Sequence, residues 1–116
     1  MIEKIIIDYL NDSLEVPVAA QVPAGPPESY VVLEKTGGGE KDGLRAAVLA
    51  LRCVGSSLYN AIELCLAVHT AMKLLPEAAA NVSGVRLESE YNQTDTRTKE
   101  YRYTGIWRVY YVEADA

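Results

Sequence analysis

His69 is the single histidine in the chain, so any Cys–His or Ser–His–Asp mechanism must run through it. Cys65 lies four residues earlier in a helical pattern, a spacing that lets two side chains share a face and touch. Such a pair could make a nucleophilic thiol or half of a metal site. Both residues, however, fall within an apolar stripe with Leu58, Ile62, Val68 and Met72. Reactive cysteines sit in partly exposed, electropositive places, and this stripe is the reverse. Zinc needs three or four protein ligands, and the chain offers no second Cys/His pair. The stripe therefore reads as core, with no catalytic, metal or cofactor role for Cys65 and His69. Glu88 and Glu90, two apart on a strand, could do acid–base work. They read better as the solvated face of a hairpin, answered by Arg86 and Arg102. "TGGGEKDG", Thr36 to Gly43, is no phosphate loop: Lys41 precedes Asp42 and Gly43, a strand follows, and Glu40 and Asp42 would repel an anion.

The elements that carry these residues must come from one domain, residues 1–116, because the chain has only that length. Hydrophobic residues make up 49% and charged ones 23%, the balance of a globular protein with a core of its own. The net charge of −5 argues against non-specific nucleic-acid binding, which needs surplus Lys and Arg to displace counterions. Two cysteines are too few for a disulfide scaffold, so a reduced, intracellular setting is expected. No signal peptide is expected at the start, and the longest apolar runs are far below membrane-spanning length. Tyr occurs eight times and Phe not at all, a bias that suits half-buried surfaces.

Ile2, Ile5, Ile6, Tyr9 and Leu10 predict a short helix over residues 2–10, broken by Asn11, Asp12 and Ser13. Leu14 to Ala19 reads as a short edge strand, because Pro17 cannot donate to a ladder. "VPAGPPES" is a stiff connector. Residues 29–36 form a strand, and the glycine-rich 36–43 stretch a flexible hairpin loop. Leu44 to Val54, apolar on both faces, is a central strand covered on both sides. Ser56 or Ser57 caps the main helix, whose face gathers Leu58, Ala61, Ile62, Cys65, Val68, Met72 and Leu75. Leu66 and Leu74 point away from that stripe and need another cover. Pro76 stops the helix or restarts it as a short turn.

Val82–Tyr91 and Tyr101–Glu113 read as the arms of a long hairpin. Setting Glu90 opposite Arg102 places Arg86 by Ile106 and avoids like charges such as Arg86 against Arg108. It also puts Val85, Leu87, Trp107, Val109 and Tyr111 on one face. The resulting fold class is α+β: a mostly antiparallel sheet of four to five strands, one long helix packed on it and a short N-terminal helix.

The polar tip "NQTDTRTK", residues 92–99, is longer than most hairpin loops, which run two to five residues. Together with the 37–43 tip it is expected to meet other protein copies, with Glu40, Asp42, Asp95, Arg97 and Lys99 as contact residues. The layout, from "YVVLEKTGGG" through "LRAAVLALRCVGSS" and "SLYNAIELC" to "EYRYTGIWRVYYV", resembles the small tail-terminator (tail-completion) proteins of long-tailed bacteriophages and prophages. That resemblance implies a non-enzymatic subunit, without cofactor, that closes into a homo-oligomeric ring, commonly hexameric. It implies a virion-tail location after assembly in the host cytoplasm. The implied partners are other copies of the chain, the tail tube protein and head–tail connector proteins, with DNA only as passing cargo. The alternatives are another small head–tail connector component, a protein-binding module outside phages, and a small enzyme using Cys65 and His69.

Overall fold

The structure, a computed structural model, describes residues 1–113. Its first helix, α1 (Ile2–Ser13), buries Ile2, Ile6 and Leu10 on the expected face. The helix runs on through Asn11, Asp12 and Ser13, the residues expected to break it, and Asn11 reaches outside it. Its side chain accepts from Val18 N and donates to Val18 O, both at 2.9 Å. That bracing holds β1 (Val18–Ala19), which begins after Pro17 and is much shorter than the expected 14–19 strand. Pro17 lies outside the ladder, where its missing N–H costs nothing, although its carbonyl accepts from Val31 N at 2.9 Å.

The glycine-rich stretch is not a flexible loop, as its four glycines suggested. β2 (Tyr30–Lys41) runs straight through Gly37, Gly38 and Gly39 and pairs with β3 (Leu44–Gly55) up to Lys41↔Leu44. Only Asp42 and Gly43 turn the chain, with φ of 53° and 84°. Positive φ at both central residues is the signature of the tight hairpin turn that Asp-Gly favours, since its twist matches the strands. Close approach of the neighbouring strand requires glycine only at Gly38, where a Cβ would stand 2.7 Å from the Ala46 carbonyl oxygen. A bulge between Lys35 and Gly37 adjusts the register.

Ser57 caps α2 (Leu58–Lys73), its Oγ accepting from Asn60 N at 3.1 Å. Leu74 ends it, and Pro76 sits at the start of the one-turn α3 (Leu75–Ala78), where a missing N–H is tolerated. Tyr9 O–H donates to the Ala71 carbonyl at 2.7 Å, tying α1 to α2. Leu66 and Leu74 stay half exposed, at 55% and 50%, as their position off the stripe implied.

The last two strands are β4 (Val82–Asn92) and β5 (Tyr101–Tyr111), and the sheet order is β1-β2-β3-β5-β4. β1 runs parallel to β2, and the other neighbours are antiparallel. The hairpin register differs from the expected one. Arg86 does stand opposite Arg108, the like-charge pairing the sequence argued against, and Leu87 opposite Trp107. A bulge between Leu87 and Ser89 resolves the conflict, because the extra residue, Glu88, accepts from both arginines at 2.8 and 2.7 Å. From Gly84 to Leu87, away from the hairpin turn, the slip from the expected register is even-numbered, so the expected faces survive there; past the bulge, from Ser89 to Asn92, it is odd-numbered. Trp107, Val109 and Tyr111 are buried, with Val85 and Leu87 packed beside them.

α1 and α2 cover one sheet face, where Val31, Leu33, Leu49, Leu51 and Cys53 meet Ile6, Leu10, Val68 and Met72. The other face of β3 is less covered than its apolar sequence suggested. A small cluster of Tyr30, Val32 and Val54 there lines a cleft together with Ala20, Gln21 and Val22. The described molecule measures 45 × 24 × 24 Å. Among the described residues no helix is long and apolar enough to cross a membrane.

Candidate functional site

Helical periodicity turns Ala61, Cys65, Val68 and Met72 of α2 toward the sheet, and His69 follows them inward at 7% exposure. The i, i+4 spacing brings the two chemistry-bearing side chains into contact, with Cys65 Sγ 3.2 Å from His69 Nε2. His69 Nδ1 in turn lies 3.3 Å from Glu90 Oε2 on β4. The carboxylate reaches this face because of the β4 bulge. Before it, Val85 and Leu87 face the helix; after it the parity changes, and Glu90, paired with Gly105, faces the helix too.

Gly105 makes room for the imidazole. A Cβ there would stand 3.0 Å from His69 Nε2 and 3.3 Å from Trp107 Nε1. Trp107 meets the imidazole edge to face, with ring centroids 5.6 Å apart. Its indole N–H is buried, and among the described residues it finds no hydrogen-bond partner. Strand alternation brings a second thiol to the same core: Leu49, Leu51 and Cys53 of β3 all point inward, with Cys53 Sγ 4.0 Å from the Leu51 carbonyl oxygen.

These contacts set the protonation states. Interaction with the Cys53 thiol, and then the neighbouring imidazole, lower the Cys65 pKa to about 6 against the opposing effect of burial. Interaction with Cys65, and burial, push Cys53 well up. His69 is raised, first by its bond with Cys65, and also by the charges of Cys65 and Glu90. The order thiol, imidazole, carboxylate is that of an activated nucleophile with its base and orienting group. Access is what it lacks: Cys65 is 1% exposed. Two surface clefts, of about 520 and 280 Å³, are lined by other residues. The donor atoms of Cys65, His69 and Glu90 lie within 4.8 Å of one another, close enough to share one cation.

Glu88 and Glu90 are both exposed, as expected, but only Glu88 is answered by arginines, while Glu90 meets His69. Arg86 and Arg108 hold the Glu88 carboxyl below the usual range. Arg102, expected opposite Glu90, instead donates to the Gln93 carbonyl at 3.0 Å and pairs with Glu100 at 3.5 Å.

The five expected contact residues are not brought together. Glu40 and Asp42 are exposed at the β2–β3 turn, beside the larger cleft with Arg45 and Tyr110. Asp95, Arg97 and Lys99 lie at the β4–β5 turn, at the opposite end of the sheet. Eleven β3–β5 pairs, from Arg45↔Tyr111 to Gly55↔Tyr101, separate the two. At about 3.4 Å per residue that is about 34 Å. The second tip is also more ordered than its length suggested. An Asp95↔Glu100 bridge shortens the loop, and Asp95 Oδ1 accepts from Arg97 N at 2.9 Å and from Thr98 N at 3.4 Å. Asp95 thus builds the turn, while Arg97 and Lys99 project from it, exposed.

No protein-family model matches this chain, and no curated protein matches it.

Proposed function

We propose that the chain is a structural subunit of a bacteriophage tail, the reading its layout resembles. In that role copies close into a ring, commonly of six, that caps the tail tube and forms part of the head–tail joint. The ring assembles in the host cytoplasm, passes DNA as cargo and performs no chemistry. The observation that carries this reading is the separation of the two charged tips to opposite ends of an elongated sheet. A subunit between a tube and a connector needs different contacts at its two ends, and a closed ring needs unlike patches meeting side by side. The half-exposed Leu66 and Leu74, with Tyr59 at 71%, put apolar surface on the outside of α2, where a neighbouring copy can bury it. A buried Cys65 suits a protein without a catalytic step.

Sedimentation of the purified chain tests this. A closed ring is expected at high micromolar concentration. A chain carrying Arg97→Glu with Lys99→Glu should lose ring stacking or tail joining while its circular dichroism stays unchanged. Asp95 is kept, because its substitution would loosen the turn itself. A wild-type chain that stays monomeric at every concentration, alone and with purified tail tubes, overturns the reading. A second reading, a Cys65–His69 enzyme, is favoured by the 3.2 Å contact. Fast thiol labelling of the native chain would support it, and protection until unfolding would remove it.

A further inference from the structure

The geometry points to strand addition between copies: the open edge of β2, Glu34 to Lys41, pairs antiparallel with the open edge of β4, Gly84 to Tyr91, of the next copy. This rests on the ring reading and deepens it, naming the two unlike surfaces that meet.

Both edges are free. β1 pairs with β2 only at Val31 and Val32, and β4 ends the sheet. Every residue of β2 from Glu34 to Lys41 is exposed. Among the described residues no strand pairs with this half on its outer side, so its outward backbone groups offer a template for another strand. Val31 N donates away from β3, to the Pro17 carbonyl, and stands opposite Cys53. Directions alternate along β3, so Gly38 and Glu40, opposite Ala47 and Arg45, also aim their N–H groups outward.

The glycines show that something comes close. Inside a strand each costs about 0.5–1 kcal/mol relative to alanine. Gly38 is required by the Ala46 carbonyl. A Cβ on Gly37 would reach only Val48 Cβ, at 4.0 Å, and one on Gly39 nothing within 4 Å. Packing within the chain leaves Gly37 and Gly39 unexplained, whereas close approach of another backbone explains both.

The β4 edge of a second copy fits this surface. β2 and β5 run one way, β3 and β4 the other, so a copy rotated about an axis along the strands presents β4 antiparallel to β2. Faces and charges then fix the register. Lys35 and Gly38, opposite Leu49 and Ala47, lie on the helix-covered face. Leu87, opposite Trp107, and Glu90 lie on the same face of β4. With the bulge residues Thr36 and Glu88 left out, one register matches the faces throughout and sets Lys35 against Glu90, opposite charges. Gly38 and Gly39 then oppose Leu87 and Arg86, whose side chains use the room the glycines leave. Sliding by two residues would set Lys41 against Arg86, like charges.

The test is oxidative cross-linking of the full-length chain carrying Gly39→Cys with Arg86→Cys. Within one chain β3 and β5 keep these positions three strand spacings apart, about 14 Å, beyond disulfide reach. A ladder of covalent multimers is expected on a non-reducing gel. Gly39→Cys with Tyr91→Cys, out of register, should give none. Glu40→Pro removes an outward N–H and leaves the β3 pairing intact. It should sediment as a monomer with unchanged circular dichroism, while Glu40→Ala still assembles. Should Glu40→Pro not fold, the cross-link decides alone. Rings that form without the 39–86 cross-link overturn the edge pairing and leave the ring reading standing. So does Gly39→Cys alone locking into dimers, which would set β2 against β2. A wild-type chain that is monomeric at every concentration, alone and with tail tubes, overturns both.

Discussion

Gly105→Ala tests how tightly the imidazole is fitted against the sheet. The new methyl carbon would meet His69 Nε2 at 3.0 Å and Trp107 Nε1 at 3.3 Å, both tighter than ordinary van der Waals contact. His69 cannot retreat freely, because Cys65 stands 3.2 Å away and Glu90 3.3 Å away. Overpacking of a filled core costs about 1–3 kcal/mol. Alanine in place of a strand glycine returns about 0.5–1 kcal/mol of backbone entropy. The net expectation is a loss of about 1–2 kcal/mol, or about 4–8 °C of melting temperature for a domain of this size. Gly84→Ala is the internal control. It lies in the neighbouring strand, and its Cβ would meet only Tyr110 Cδ2, at 4.0 Å, so the substitution should be neutral or slightly stabilising. Urea unfolding of the two variants gives the comparison, and a His69 imidazole resonance shifted only in Gly105→Ala locates the strain. If both variants are equally stable, or Gly105→Ala is the more stable, the close packing of His69 against β5 is refuted.

Gly43→Ala forces a side chain into the left-handed region at φ 84° and should cost about 1–2 kcal/mol by urea unfolding. Gly39→Ala, with open space around its Cβ, should change little. If the two are equal, the tight Asp42–Gly43 turn is wrong. Glu88 titrates lower in the folded chain than its usual 4.5, through Arg86 first and then Arg108. Its contribution is therefore present above the ordinary carboxylate pKa and is lost as pH falls through the lowered value. Glu88→Gln should remove that acid-side loss and leave Arg86 facing Arg108 uncompensated at neutral pH. An unchanged stability–pH curve would count against the bulge as the device that tolerates the two arginines.

The layout was legible because periodicity reports faces. The 3.6-residue stripe of α2 and the alternation in β5 correctly turned Cys65, Val68, Trp107, Val109 and Tyr111 inward. Periodicity cannot report which inward residues of different elements meet. Cys53 carried a usable signal, since it alternates with Leu49 and Leu51, yet nothing in the chain announced Cys65 as its neighbour. The glycine run misled for a different reason. Gly37 to Gly39 suggested mobility, while the Asp42–Gly43 dipeptide that makes the turn was lost among them. Charge repulsion misled as well, because pairwise avoidance of Arg86 and Arg108 ignored the option of a third residue between them.

That third residue connects the hairpin error to the site. A strand without a bulge keeps its parity, so Glu88 and Glu90 would share one face, as the sequence suggested. Inserting Glu88 as an extra residue leaves it outside, between two arginines, and turns Glu90 in toward His69. One irregularity thus resolves a like-charge clash on one face and delivers a carboxylate to an imidazole on the other. Removing the bulge by deletion of a residue at 88 should undo both: the arginines would lose their acceptor and Glu90 would leave His69. The histidine would then stand buried between the Cys65 thiol and the Trp107 ring with no carboxylate beside it, which is close to the core packing the sequence by itself had implied.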